Sequence, residues 1–203
     1  MEHCAPSTLD TAIQVQYYYL MNAKRPGFTL TTAALLALAA IWIAVTSLFI
    51  PAPAAAGAAA APREGFTAPD FTLATLSGET VQLSTLRGRV VFLNFWTSWC
   101  PPCKKEMPAI QQLSEQSPDV AVLAVNVSDQ DRLEDAQLFL ASNGITLDVL
   151  LDSDGSVSRL YQVEALPTSF FIDKKGIIRK IVYGGPISSA LLFAETSSLA
   201  KEP

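Results

Sequence analysis

The first strong pattern along the chain is an uninterrupted apolar block near its start. Residues 28–50 include no Asp, Glu, Lys or Arg. A helix of this length, at about 1.5 Å of rise per residue, would cross a bilayer core of roughly 30 Å. Lys24 and Arg25 precede the block, and the next basic residue is Arg63. This asymmetry predicts a transmembrane helix with the N-terminus in the cytoplasm and all later residues exported.

The flanks of this block bear on how the leader is processed. The apolar run is longer than the roughly 7–15 residues of a cleaved signal peptide, which favours a retained signal anchor. The small residues at 51–57 resemble a peptidase site, so cleavage is the alternative. The compact basic segment that begins at Met21 suggests that translation starts there, with residues 1–20 upstream of the real start. We therefore predict a cytoplasmic segment at 1–27, an anchor at 28–50, an Ala/Pro-rich linker at 51–65 and a folded domain at 66–203.

The folded domain is organised around one apolar run and the two cysteines that follow it. The run at 90–96 is typical of a buried strand, and it leads into Cys100 and Cys103. Apolar residues then recur at helical spacing, which predicts a helix over about 100–115. A second apolar run lies at 120–127. Two such runs joined by a helix predict a βαβ unit with parallel, buried strands.

Shorter segments complete a predicted α/β domain around that unit. Before it, the alternating segments 71–76 and 80–83 flank a Ser-Gly-Glu turn, which predicts a β-hairpin. The later elements that we predict are a helix at 131–143, a short strand at 148–151, a short helix at 157–161, a strand that starts directly after Pro167 and continues to 173, an antiparallel strand at 177–183 and a closing helix at 188–199. The expected architecture is a central mixed β-sheet flanked by helices, with an N-terminal β-hairpin and a helix–strand insertion.

The two cysteines carry the predicted chemistry. Cys100 falls where the central strand ends and the helix begins, and the free N–H groups and dipole of a helix start stabilise a thiolate. Cys103 is one turn later, spaced to close a disulfide ring and to resolve a mixed disulfide formed by Cys100. Pro101 and Pro102 fit the first helical turn, where a missing N–H costs little, and they stiffen the ring. The alternatives are a purely structural disulfide and two buried thiols.

Composition narrows the classes of site and partner. The formal net charge is −5 and the sequence pI is about 4.8, which argues against a nucleic-acid partner. A zinc site needs about four ligands, yet the only other cysteine and the only histidine, Cys4 and His3, precede the apolar block. The sequence therefore argues against an intramolecular zinc site, and we predict no metal and no cofactor. Cys4 would be an idle thiol facing the reducing cytoplasm.

A resemblance to a known family is carried by residues 95–108, which run Phe-Trp-Thr-Ser-Trp-Cys-Pro-Pro-Cys-Lys-Lys-Glu-Met-Pro. This segment resembles the active site of the thioredoxin-like TlpA/ResA family, whose members are membrane-associated thiol-disulfide oxidoreductases acting outside the bacterial cytoplasm. The resemblance extends from about Ala68 to the C-terminal helix. It implies a thioredoxin fold with a redox-active disulfide between Cys100 and Cys103.

The resemblance also implies roles for residues around the cysteines. Pro167 is similar to the cis-proline that faces the disulfide in this fold. Such a proline would leave the backbone of Leu166 free to pair with a substrate strand. Trp99 would shield the disulfide and contact a partner, together with Pro101 and Pro102.

Proton transfer at the thiols needs a titratable group. Thioredoxins usually carry a buried Asp two residues before the Phe-Trp tryptophan, whereas this chain has Asn94, which cannot titrate. In ResA-like proteins an acidic residue follows the second long strand, and Asp129 matches that position. We predict that Asp129 raises the pKa of the thiol pair and relays a proton, because a nearby negative charge disfavours a thiolate. The alternative is a solvated loop aspartate that starts the next helix.

The resemblance predicts a reductant of exported protein disulfides, with apocytochrome c haem-site cysteines as one substrate and a membrane thiol donor as the electron source. A second hypothesis is a thiol peroxidase, because Thr97 and Cys100 partly match a peroxidatic motif. That motif has a proline at the position where this chain has Leu93. A third hypothesis is a copper-binding assembly factor of related fold, which would need a distal histidine that the exported region lacks.

Overall fold

The computed structural model describes residues 17–18, 33–43 and 60–202. Residues 33–43 are helical, and no helix within these ranges is long and apolar enough to span a membrane. The rest of the predicted anchor, and most of the predicted cytoplasmic segment and linker, lie outside the described residues. The chain divides into two compact units, Met1–Ala55 and Ala56–Pro203, and the second contains the cysteine pair.

The second unit is built on a mixed β-sheet with the strand order β2-β1-β5-β4-β3-β6-β7. The strands are β1 (Thr72–Thr75), β2 (Thr80–Gln82), β3 (Val90–Trp96), β4 (Val120–Asn126), β5 (Leu150–Leu151), β6 (Thr168–Ile172) and β7 (Ile178–Tyr183). The helices are α1 (Pro101–Gln116), α2 (Leu133–Ser142), α3 (Ser156–Leu160) and α4 (Ser189–Lys201), with a 3₁₀ turn at Leu83–Leu86. These elements are those that the sequence pattern predicts.

The pairing of the central strands confirms a thioredoxin-like α/β fold. β3 pairs in parallel with β4 and antiparallel with β6, and β6 pairs antiparallel with β7. β1 and β2 form the predicted N-terminal hairpin, which joins the sheet through antiparallel pairing with β5. The predicted insertion is present as α2 and β5. A central strand that is paired on both sides is buried on both faces, and all seven residues of β3 are buried.

The alternation of β3 divides the core into two clusters. Val90, Phe92 and Trp96 face a cluster that includes apolar residues of α1, α2 and α4. Val91 and Phe95 face a second cluster that includes residues of β1, the 3₁₀ turn and α3. Because strand side chains alternate between faces, Asn94 falls on the same side as Phe92 and Trp96. β3 therefore delivers the segment before the cysteines to a fixed place at the edge of the core.

Most element boundaries differ from the predicted ones by one or two residues. Cys100 is the N-cap of α1, which begins at Pro101 and continues through the internal proline at Pro108. β6 begins at Thr168, directly after Pro167 as predicted, because a proline has no N–H to donate to the sheet. α2 begins at Leu133 because Asp131 lies outside the helix and binds the segment before Cys100.

Candidate active site

The cysteine pair lies at the junction of β3 and α1. Cys100 and Cys103 are joined by a disulfide with their Cα atoms 5.3 Å apart. The N–H of Cys103 donates a hydrogen bond to Sγ of Cys100 at 3.3 Å, as at a helix N-cap. Cys100 is 3% exposed and Cys103 is 0% exposed. When the pair is reduced, the helix start favours the thiolate at Cys100, which is the sulfur nearer to solvent.

A cleft of about 260 Å³ opens beside Cys100, and we call it the cysteine cleft. Its lining residues are Trp99, Cys100, Pro101, Pro102, Val127, Gln130, Ser158, Val163, Glu164, Ala165 and Leu166. Four of the five predicted substrate-contact residues are in this lining. The fifth, Pro167, is buried next to it, and the Leu166–Pro167 peptide bond is cis. The structure thus brings two segments that are far apart in sequence to the same side of the disulfide.

The backbone of Leu166 is free to accept a partner strand. Leu166 precedes β6, and within residues 60–202 neither its N–H nor its C=O takes part in a hydrogen bond. The adjacent Pro167 C=O is already occupied, because it accepts the N–H of Gly184 at 2.7 Å. An extended polypeptide lying in the cysteine cleft can therefore pair with Leu166 as an added strand.

The loop after β4 holds the residues just before Cys100, an arrangement that sequence reasoning missed. Oδ2 of Asp131 accepts the N–H of Ser98 at 2.6 Å and a side-chain N–H of Asn126 at 2.8 Å. Oδ1 of Asp131 accepts the Ser98 hydroxyl. Trp99 is 57% exposed, yet its indole N–H donates to the C=O of Gln130 at 2.7 Å. These contacts fix the position of the Trp99 ring over the cleft.

Replacing Asp131 with alanine should destabilise the domain by about 2–3 kcal/mol, because it leaves buried donors of Ser98 and Asn126 unpaired. Urea unfolding measures this loss. The matched control is Asp135→Ala, since Asp135 forms an exposed ion pair with Arg132 and its side chain has no other polar contact within residues 60–202. The effect of this substitution should stay within about 0.5 kcal/mol. Equal losses in the two variants would contradict the role assigned to Asp131.

A buried carboxyl group, Glu106, lies one helical turn after Cys103. It is 1% exposed, and its Oε1 and Oε2 accept N–H groups of Asn94 and Ile187, each at 2.8 Å. Burial raises the pKa of Glu106 to about 6, although both hydrogen bonds oppose that shift. The side-chain amide of Asn94 also donates to Oγ of Ser169 at 3.0 Å. Asn94 does not titrate, but it is hydrogen-bonded to a group that does.

Sequence reasoning did not single out Glu106. A signal was available, because Glu106 stands at helical spacing between the buried positions Cys103 and Ile110. A charged residue in an otherwise apolar stripe is a candidate for a buried titratable group.

Gly185 permits the close packing around Glu106. A Cβ atom at this position would lie 2.7 Å from Cγ of Pro167 and 2.9 Å from Oε2 of Glu106. Real Cβ atoms do not approach neighbours this closely, so the loop before α4 can cover the carboxyl group only with glycine here. The same loop brings the N–H of Ile187 to Glu106.

Asp129, the acidic residue predicted from the resemblance, lies in a different environment. Its side chain is 29% exposed, and its Oδ2 is 3.9 Å from a guanidinium nitrogen of Arg159. Its carboxylate also lies against Gly155, where a Cβ atom would overlap Oδ2. Asp129 is not among the residues that line the cysteine cleft. Its role in proton transfer stays a prediction.

Comparisons with known proteins relate this chain to one family and to several relatives. Residues 65–181 match the AhpC/TSA family. The thioredoxin-like protein YneN of Bacillus subtilis is 40% identical over 124 residues, which is 60% of this chain and 72% of that protein. The thiol-disulfide oxidoreductase ResA of Bacillus subtilis is 42% identical over 123 residues, which is 60% of this chain and 68% of that protein. The crystal structure of StoA from Bacillus subtilis superposes with a TM-score of 0.57 at 34% identity, covering 63% of this chain and 96% of that one.

Proposed function

We propose that this chain reduces disulfide bonds of exported proteins with Cys100 and Cys103. The reason is that the chain belongs to the AhpC/TSA family and to its thioredoxin-like TlpA/ResA thiol-disulfide oxidoreductases. The observation that carries this proposal is the position of the pair. The bridged cysteines lie at the start of α1, beside a cleft whose other wall ends in the unpaired backbone of Leu166. That arrangement offers a nucleophile, a resolving thiol and a place for an extended substrate.

The proposed reaction transfers two electrons from the reduced pair to the substrate. The Cys100 thiolate attacks one sulfur of the substrate disulfide, and the other substrate sulfur leaves as a thiolate that takes up a proton. Cys103 then loses its proton and attacks Sγ of Cys100, which releases the second substrate thiol. The chain is left with the Cys100–Cys103 disulfide, and the substrate with two thiols. A second dithiol must then reduce the chain, and we propose a membrane thiol donor for that step.

We propose that Glu106 manages the proton of Cys103. It is buried on the same helix one turn later, and a pKa of about 6 lets it exchange a proton near neutral pH. Its two hydrogen bonds hold the carboxylate in place whichever way the exchange runs. The role predicted for Asp129 rests on the position that it shares with an acidic residue of ResA-like proteins.

We further propose that residues 28–50 anchor the chain in the cell membrane and that the second unit lies outside the cytoplasm. The support is the uncharged apolar run with Lys24 and Arg25 before it. In that compartment the exported substrates would include apocytochrome c, whose haem-site cysteines must be reduced. An oxidising environment explains why the electrons would have to come through the membrane.

The reduction potential of the pair tests the direction of the reaction. We expect a value near or below about −250 mV, in the range of thioredoxin rather than near the −120 mV or so of a strong oxidant. The full chain in detergent, with Cys4 changed to serine, is equilibrated in graded thiol/disulfide buffers. Alkylation and mass spectrometry then count the reduced pairs. A value near the oxidant end would mean that the chain oxidises exported proteins, and the proposal of a reductant would be wrong.

A further inference from the structure

The lining of the cysteine cleft holds a single charged side chain, that of Glu164. Glu164 is exposed, and within residues 60–202 it forms no ion pair. The cation nearest in sequence, Arg159, is already engaged, because it lies 3.9 Å from Asp129 and donates to the C=O of Asp154 at 2.8 Å. Lys104 is not among the lining residues of the cleft, and its ammonium group lies over the ring of Phe139. The cleft therefore carries one uncompensated negative charge.

The backbone after α3 turns Glu164 into the cleft. Gln162 adopts a left-handed conformation with φ 52°, which is unfavourable for a residue other than glycine. Its N–H donates to the C=O of Arg159 at 3.0 Å, and the N–H of Val163 donates to the C=O of Ser158 at 2.9 Å. These two bonds hold the reversal that places Val163 and Glu164 among the lining residues.

Glu164 lies two residues before Leu166, whose backbone is free to pair with a substrate. Both residues line the cysteine cleft, and the Cα atoms of residues two apart in a chain are at most about 7 Å from each other. A substrate strand that pairs with Leu166 and presents its cysteine to Cys100 would therefore pass Glu164. The substrate side chain nearest to Glu164 would be within about two residues of the reacting cysteine.

We infer that Glu164 gives the cleft a preference for polypeptides that carry a lysine or arginine within two residues of the reacting cysteine. This inference rests on the proposed function, since it concerns which disulfides the same site reduces fastest. Opposite charges attract, and an acidic substrate residue at that place would be repelled. The ion pair between Glu164 and the substrate side chain would be partly exposed. The preference for a basic substrate should therefore be modest and should weaken as salt screens the two charges.

The test uses three disulfide-linked peptide dimers that differ only in the residue after the cysteine, which is lysine, alanine or glutamate. The full chain in detergent is first reduced and separated from the reductant, and the rate of peptide reduction is then followed after acid quenching. Each rate is divided by the rate at which a small neutral dithiol reduces the same peptide. This division corrects for the effect of the neighbouring charge on the reactivity of the peptide disulfide itself. The Glu164→Gln variant is compared with Glu79→Gln, which removes the same charge at the β1–β2 turn, outside the cysteine cleft.

We expect the unmodified chain to reduce the lysine peptide about two- to fivefold faster than the glutamate peptide, the size expected of an exposed ion pair. Glu164→Gln should remove this preference, Glu79→Gln should keep it, and added salt should diminish it. The inference is overturned if the preference is the same in Glu164→Gln, or if salt leaves it unchanged in the unmodified chain. If the unmodified chain reduces none of the three peptides, the proposed function itself is wrong.

Discussion

Replacing Cys100 with serine lowers the rate of disulfide reduction by roughly a thousandfold or more, because removing a catalytic nucleophile leaves only the background reaction. The expected result follows from the position of Cys100 as N-cap of α1, with its sulfur facing the cysteine cleft. A serine hydroxyl in the same place does not ionise near neutral pH. The rate is measured with a disulfide peptide and a chemical reductant that regenerates the chain.

Replacing Cys103 gives a different result, which distinguishes the two sulfurs. Cys103 is fully buried, so we expect Cys103→Ser to attack the substrate normally and then to accumulate as a mixed disulfide through Cys100. The adduct is detected by non-reducing electrophoresis and by its mass. Cys4→Ser serves as the control and should turn over at the unmodified rate. Accumulation of the adduct in Cys100→Ser instead would reverse the assigned roles.

Replacing Glu106 with glutamine removes a pH-dependent term from the stability of the domain. The pKa of Glu106 is about 6 in the folded chain, against 4.5 for an ordinary glutamate, so the folded state binds more protons between those values. The stabilisation is therefore complete below about pH 4.5 and is lost as the pH rises through about 6, a loss of about 2 kcal/mol. Urea unfolding at a series of pH values should show this fall in the unmodified chain and a flatter profile in Glu106→Gln.

The same variant separates the two acidic residues proposed for proton transfer. Removal of the Glu106 charge should lower the pKa of the cysteine thiols, because a carboxylate nearby disfavours the thiolate. The thiol pKa is read from the pH dependence of alkylation of the reduced pair. Asp129→Asn is the matched substitution. If Asp129→Asn leaves the thiol pKa unchanged, the role predicted for Asp129 is wrong; an unchanged thiol pKa in Glu106→Gln would instead remove Glu106 from the mechanism.

The strand, the helix and the cysteine pair could be predicted because their signals are local. β3 is continuously apolar, α1 has regular apolar spacing, and the two cysteines stand at the junction. The partners of Glu106 are not local: Asn94 and Ile187 reach it only after the sheet and the loop before α4 have formed. From sequence, the helical spacing of Glu106 between Cys103 and Ile110 could indicate a buried carboxyl group, but it could not indicate what that group contacts.

In the acidic loop after β4, too, the sequence does not show which side chain contacts the segment before Cys100. The resemblance pointed to Asp129, whereas the structure connects Asp131 to the segment before Cys100. The two carboxylates are two residues apart, and the path of the loop decides which one reaches Ser98. Ser98 is 33 residues away in sequence, so nothing near Asp131 indicates the contact. The membrane span predicted at 28–50 stays a prediction, since much of it lies outside the described residues.

Because the N–H of Ile187 donates to the carboxyl group of Glu106, this backbone amide reports the charge of that group. An N–H that donates to a carboxylate forms a stronger bond than one that donates to a protonated acid. The amide proton resonance of Ile187 in a nitrogen-15-labelled chain therefore follows the ionisation of Glu106, with no probe and no substitution near the cysteines. The titration is recorded for the oxidised and for the reduced chain. The difference between the two midpoints measures how strongly the charge of Glu106 is coupled to the redox state of the Cys100–Cys103 pair.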